Sequence, residues 1–186
     1  MKKTCALMVL AALILSACGA KSVSTQDVAA AEAAARPEQT ELDFVAGGEV
    51  VRVPATLHLG EGYSIYIPQS GWRLEQEWEH GIPEDVWEST MEDDVQISVF
   101  RYPGIPAVEA ATAFLDEHDD FVFRELLLDT DETAEPLEGV DEDGDVLKFI
   151  LRSGVGNTYI VAWEYRNPLG SAASQAERMV RTFVVT

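Results

Sequence analysis

Downstream of about residue 42, apolar and polar positions alternate in short runs broken by glycine. Val51, Val53, Ala55 and Leu57 alternate with Arg52, Pro54, Thr56 and His58. A period of two places one strand face in a core and the other in water. Residues 42–45 and 49–59 flank Gly47-Gly48, which predicts a hairpin. Pro54 predicts an edge or a bulge in its second arm. Gly60-Glu61-Gly62 turns the chain into a strand over 63–67, ended by Pro68, and Gln69-Ser70-Gly71 turns it again into 72–76. Residues 77–84, with His80-Gly81-Ile82-Pro83, read as a loop. Residues 86–91 and 95–102 read as a second hairpin turning at 92–94, with Val95, Ile97 and Val99 on one face.

The period changes at Pro106. Val108, Ala111, Phe114 and Leu115 share a face at helical spacing, and Pro106 suits a first turn. Residues 121–128 are apolar enough for a strand, and 129–138 read as an acidic loop. Strong strands follow over 146–152 and 158–165, joined through Gly154-Val155-Gly156-Asn157. A helix is predicted over 169–181, with Ala172, Ala176, Met179 and Val180 on one side, and a short strand over 182–185 closes the chain. Hairpin-joined strands with two main helices predict an α+β domain built on an antiparallel β-sheet, not a doubly wound parallel one.

One apolar run does not belong to this pattern. Lys2 and Lys3 precede apolar residues from about Ala6 to Leu15, then Leu15-Ser16-Ala17-Cys18. The run is shorter than the ~18–20 residues of a spanning helix and fits a secretory signal. The quartet resembles the lipobox of bacterial lipoproteins. That resemblance implies cleavage before Cys18, a diacylglycerol on its sulfur, and a protein tethered to the bacterial cell membrane or outer membrane, outside the cytoplasm. Two acyl chains make a stable anchor where one is marginal. The expected organisation is a signal over 1–17, a lipidated Cys18 with an Ala/Glu-rich spacer over 18–41, and one globular domain over 42–186. Within the spacer, Ala-rich residues 27–36 favour transient helix, which Pro37 would stop.

Charge narrows the function classes. Without residues 1–17 and their two lysines, 33 acidic side chains face 11 basic ones, a formal charge of −22. Nucleic acid and anionic lipid surfaces both call for clustered Lys and Arg, so neither is an expected partner. Cys5 leaves with the signal and Cys18 carries lipid, so the domain has no disulfide, Cys zinc site or thiol nucleophile.

Several landmarks add a fold-level resemblance. They are Gly62-Tyr63-Ser64-Ile65-Tyr66-Ile67-Pro68, then Gly71-Trp72, a V-x-I-x-V strand at Val95–Val99, and a last helix running into Thr182-Phe183. Together they resemble the Mog/PsbP-like fold, an α/β sandwich, over about 57–186. The resemblance implies a fold and transfers no catalytic residue.

Candidate chemistry is sparse. His58, His80 and His118 form no H-x-x-x-H or H-E-x-x-H pair, so no metal site or cofactor is expected. No G-x-S-x-G or S-x-x-K marks a nucleophile, so no catalytic residue is assigned. Asp141-Glu142-Asp143-Gly144-Asp145 has Val146 and Arg152 where a calcium loop needs Gly and Glu. Asp143-Gly144 reads instead as a hairpin turn. Trp78, in Gln76-Glu77-Trp78-Glu79-His80, is flanked by charge. With His80, Glu84 and Trp87 it predicts an acidic, aromatic rim suited to a cationic or glycan ligand, or to a basic segment of an envelope protein. The expected function is non-catalytic binding or assembly at the cell envelope. Two alternatives stand beside it: an envelope hydrolase whose site forms only in three dimensions, and an acidic calcium-dependent interaction module.

Overall fold

The computed structural model describes residues 35–79, 82–123, 133, 135–166 and 169–186, with the backbone alone described at 76–79 and 82–84. Two antiparallel sheets carry the domain. The smaller has the order β1-β2-β3-β11, from Gln39–Ala46, Glu49–Gly60, Tyr63–Pro68 and Val184–Val185. The larger has the order β4-β5-β6-β10-β9-β8-β7. Its strands are β4 Trp72–Glu79, β5 Ile82–Ser89, β6 Gln96–Pro103, β7 Val122–Phe123, β8 Leu137–Val140, β9 Asp145–Gly154 and β10 Asn157–Arg166. Helix α1 spans Ala107–Glu117 and α2 spans Ser171–Val180. The domain is α+β, as the order of periodicities predicts.

The large sheet is buried on both faces, and alternation along β10 divides them. Tyr159, Val161, Trp163 and Tyr165 face a core shared with the small sheet and α2. Ile160 and Ala162 face a second core closed by Ala110, Ala111 and Phe114 of α1. β9 repeats the division, with Val146 and Ile150 in the first core and Leu147, Phe149 and Leu151 in the second. A central strand covered on both sides must be apolar at nearly every position, which explains the unbroken run from Tyr159 to Trp163.

Most expected strands form, with shifted ends. β1 begins at Gln39 and not at residue 42, because its ladder with β2 continues to Gln39↔Thr56. Pro54 sits where β2 pairs with β1 alone, one residue beyond the first β3 partner, Ala55↔Pro68. Residues 77–79 and 82–84 correct the loop expectation: they are the paired ends of β4 and β5, in the register Glu77↔Glu84, Trp78↔Pro83, Glu79↔Ile82, while 80 and 81 lie outside the described residues. Charged side chains hid this hairpin from a reading based on apolar periodicity. In α1 the buried stripe is Ala107, Ala110, Ala111 and Phe114. Val108, expected on that stripe, is 47% exposed. Small alanines let the helix lie close to β9 and β10, and Val108 is turned off the contact. The strand expected over 121–128 is observed only as β7, since 124–130 lie outside the described residues.

The first described residues are fastened to the domain. Arg36 donates from Nη1 to Ser64 Oγ at 2.7 Å and from Nη2 to the Thr182 carbonyl at 2.7 Å. Its guanidinium lies 4.5 Å from the Tyr66 ring centroid, and the Tyr66 hydroxyl donates to the Pro37 carbonyl. The domain therefore takes hold of the chain at Arg36, earlier than its first strand.

Candidate functional site

The acidic, aromatic rim does not form as the sequence suggests. Trp87 is 2% exposed and belongs to the first core. It sits opposite Leu74 and Ile97 in the ladder, and the Ile97 face was already readable as core. The hairpin register thus carried the signal for burying Trp87. Trp78 lies in β4 and Glu84 in β5, opposite Phe100, with side chains outside the described residues. His80 is itself outside them.

Trp87 lies in a polar seam between the sheets that the sequence did not disclose. Tyr63 of β3 donates its hydroxyl to Asp85 Oδ2 of β5, and its ring stacks on Phe183 with centroids 5.1 Å apart. Burial, and then the Asp85 carboxylate, push the Tyr63 hydroxyl well above the usual phenol range, so it stays a donor. His58 of β2 presents its ring edge-on to Trp87 at 5.0 Å. Its Nε2 is 3.8 Å from Asp85 Oδ2, beyond hydrogen-bond reach. The charge-assisted Tyr63–Asp85 bond ties the small sheet to the large one. Tyr63 and Asp85 are held by each other, which suits a clamp, while the buried His58 Nε2 has no hydrogen-bond partner among the described residues.

Three concavities lie elsewhere. A recess of about 70 Å³ beside α1 is lined by Ser98, His118, Glu164 and apolar neighbours. It is far below the ~300 Å³ at which ligand pockets begin. His118 Nδ1 lies 2.8 Å from the Phe114 carbonyl, and Gln96 Nε2 donates to Glu164 at 3.3 Å. Burial raises the Glu164 carboxyl, with partial relief from the Gln96 amide. The folded state then holds this proton more tightly than the unfolded chain does, so ionisation destabilises the fold as pH rises through the raised value. Glu164→Gln keeps the acceptor for Gln96 and removes the charge. Its melting temperature should exceed the parent's at pH 7, and the gap should close as pH falls to the ordinary carboxyl value of about 4. Thermal unfolding from pH 4 to 8 measures both.

A shallow acidic recess of about 590 Å³ adjoins it, carrying Glu88, Asp93, Asp94 and Asp145 as well as Glu164. Arg166 pairs with two of these acids, 2.9 Å from Asp94 and 3.3 Å from Asp145. The acid run 141–145 is the β8–β9 turn, where the Asp145 N–H donates to Asp141 Oδ1 at 2.7 Å. Among the described residues, no three His, Cys, Asp or Glu side chains are placed to share a metal ion, and no helix is long and apolar enough to cross a membrane.

The third concavity differs in charge. A cleft of about 390 Å³ opens between α2 and the β9–β10 pair. Arg152 of β9 forms one wall, and Arg178 and Arg181 of α2 and its C-cap form the other. Glu135 and Glu177 are its acids, and Ile150, Trp163, Val180 and Phe183 its apolar floor. Arg152 is positioned by two carbonyl oxygens, those of Thr133 and Leu151, each at 2.7 Å. Nothing in the sequence marks this site, because its arginines lie on elements that meet only in the fold.

No family model matches the chain, and no curated protein matches it. Eight chains among solved structures do match. One is a crystal structure at 1.50 Å resolution from Bacteroides thetaiotaomicron VPI-5482, 12% identical, with a TM-score of 0.41. It covers 67% of this chain, and this chain spans 45% of that protein's length.

Proposed function

We propose that this chain is an extracytoplasmic lipoprotein, anchored through Cys18, whose domain binds or assembles with another envelope component without catalysing a reaction. Cys18 lies outside the described residues, so the anchor rests on the lipobox resemblance of Leu15-Ser16-Ala17-Cys18. We assign the domain to the Mog/PsbP-like type. In support, the Tyr63–Pro68 strand, the Gly71-Trp72 turn and the α2-to-Phe183 segment belong to one domain. In that domain the Trp72 indole donates to Gln175 of α2 at 3.0 Å.

The observation that carries the binding reading is the cleft beside α2. Its volume falls in the range of ligand sites, and five charged side chains converge over its apolar floor, a lining more polar than that of most small-molecule sites. A cationic or glycan contact at the β4–β5 tip is a separate proposal for Trp78, His80 and Glu84, and Trp87 has no part in it.

Metabolic labelling with a fatty acid tests the anchor. The full chain should label and sediment with membranes, and Cys18→Ala should lose the label entirely. Label retained by Cys18→Ala would overturn the lipobox assignment. The hydrolase alternative has one observation in its favour, the presence of Ser98, His118 and Glu164 around one recess. Fluorophosphonate labelling that disappears with Ser98→Ala would establish it in place of the binding reading.

A further inference from the structure

We infer that the cleft between α2 and β9 receives a phosphate group, carried by a membrane phospholipid or by a soluble phosphorylated compound. This rests on the binding-module reading and names its ligand class. The charge distribution is the first reason. On a chain of formal charge −20, three arginines line one cleft beside only two acids. Among the described residues, basic side chains elsewhere are mostly neutralised, Arg36 apart. Arg52, Arg73, Arg101, Lys148 and Arg166 each lie within 4.0 Å of a carboxylate. Arg152 and Arg178 have no carboxylate that close among the described residues, and Arg181 reaches Glu177 only at 4.0 Å.

Arg178 and Arg181 alone would need no ligand, since cations are favoured at a helix C-terminus. Arg152 breaks that explanation, because it enters from the opposite wall and its carbonyl partners leave its charge uncompensated. Trp163, 2% exposed, underlies both this cleft and the recess beside α1, and contributes apolar floor to the cleft. Guanidinium forks match phosphate oxygens, and three forks exceed what the two oxygens of one carboxylate accept. The cleft also borders the latched end of the tether: Arg36 holds the Thr182 carbonyl, between the lining residues Arg181 and Phe183. A chain from Cys18 to Arg36 spans at most ~60 Å when extended. A membrane headgroup is therefore within reach.

The full chain in dodecyl maltoside, a neutral detergent without phosphorus, can be titrated by calorimetry and 31P NMR. The probes are inorganic phosphate, glycerol phosphate and micelle-borne phosphatidylglycerol, with choline as the cationic comparison. Saturable binding of a phosphate probe is expected, weakened at least tenfold by Arg178→Gln with Arg181→Gln and unchanged by Arg73→Gln. Binding of glycerol phosphate alone supports a soluble ligand, and binding confined to phosphatidylglycerol supports a lipid. Absence of phosphate binding, or binding indifferent to the double variant in a protein of unchanged melting temperature, overturns the assignment. Choline binding without phosphate binding also overturns it while leaving the binding-module reading in place. Fluorophosphonate labelling lost with Ser98→Ala would remove that underlying reading instead.

Discussion

Trp87→Ala should lower the stability of the domain by about 3–5 kcal/mol, a fall in melting temperature of roughly 10 °C or more. The indole is 2% exposed and packs among Ile97 and the inner residues of the first core. A Trp of this kind removes roughly 150–250 Å² from water. At ~25 cal/mol per Å² that is about 4–6 kcal/mol, and partial collapse around the cavity returns some of it. The His58 ring would lose its edge contact as well. Urea unfolding of the parent, Trp87→Ala and Trp87→Phe measures the effect, with Phe expected between the two. A Trp on an exposed rim would behave differently, its loss changing stability by no more than about 0.5 kcal/mol. A result of that size would return Trp87 to the surface and undo the core assignment.

Two glycine substitutions separate backbone strain from close packing. Gly62 and Gly156 both have positive φ, +79° and +69°, so Ala at either pays for a left-handed conformation, about 1–2 kcal/mol. At Gly156 a Cβ would meet nothing within 4 Å. At Gly62 it would collide with the Tyr159 hydroxyl, which donates to the Glu61 carbonyl at 2.9 Å. Moving that hydroxyl sacrifices a hydrogen bond, about 1 kcal/mol, and crowds a core Tyr, at about 1–3 kcal/mol. Gly62→Ala should therefore destabilise by several kcal/mol and Gly156→Ala by only the backbone share. The two unfolding midpoints, measured in one buffer, give the difference directly. Equal midpoints would show that Tyr159 does not rest on the Gly60–Gly62 turn.

The seam between the sheets explains why such errors are costly here. Tyr63, Tyr159 and Phe183 form one aromatic group, with Tyr63 and Tyr159 centroids 5.9 Å apart. The Gly62 carbonyl also accepts the Thr186 N–H at 2.9 Å, so the same turn holds the last strand in place. A disturbance there reaches β11, the Tyr63–Asp85 bond and the floor of the cleft, through Phe183.

What was legible along the chain was whatever repeats at short range. Period-two runs at Val51–Leu57 and Val95–Val99 marked strands, because neighbouring side chains must point to opposite faces, and the continuous apolar run at Tyr159–Trp163 marked a strand buried on both. Gly47-Gly48, Gly154–Asn157 and Asp143-Gly144 marked turns for the same local reason, since each needs a backbone that L side chains resist. Those signals determined an antiparallel α+β domain and its element order. They failed at the β4–β5 end, where Glu77, Glu79 and Glu84 mask a strand pair that only its neighbours stabilise.

The sequence by itself determined most of the strands, both main helices, the acidity and the lipobox quartet. The tertiary structure alone decided which faces meet. Trp87 is buried because β5 pairs with β6, and Val108 is turned outward because alanines make the closer helix contact. The same holds for the polar groups that matter. His58, Tyr63 and Asp85 come from three strands, and Arg152 and Arg178 from a strand and a helix, so no spacing along the chain encodes their meeting. Side-chain chemistry is local in sequence, but desolvation, opposed charge and the shape of a cleft belong to the packed whole.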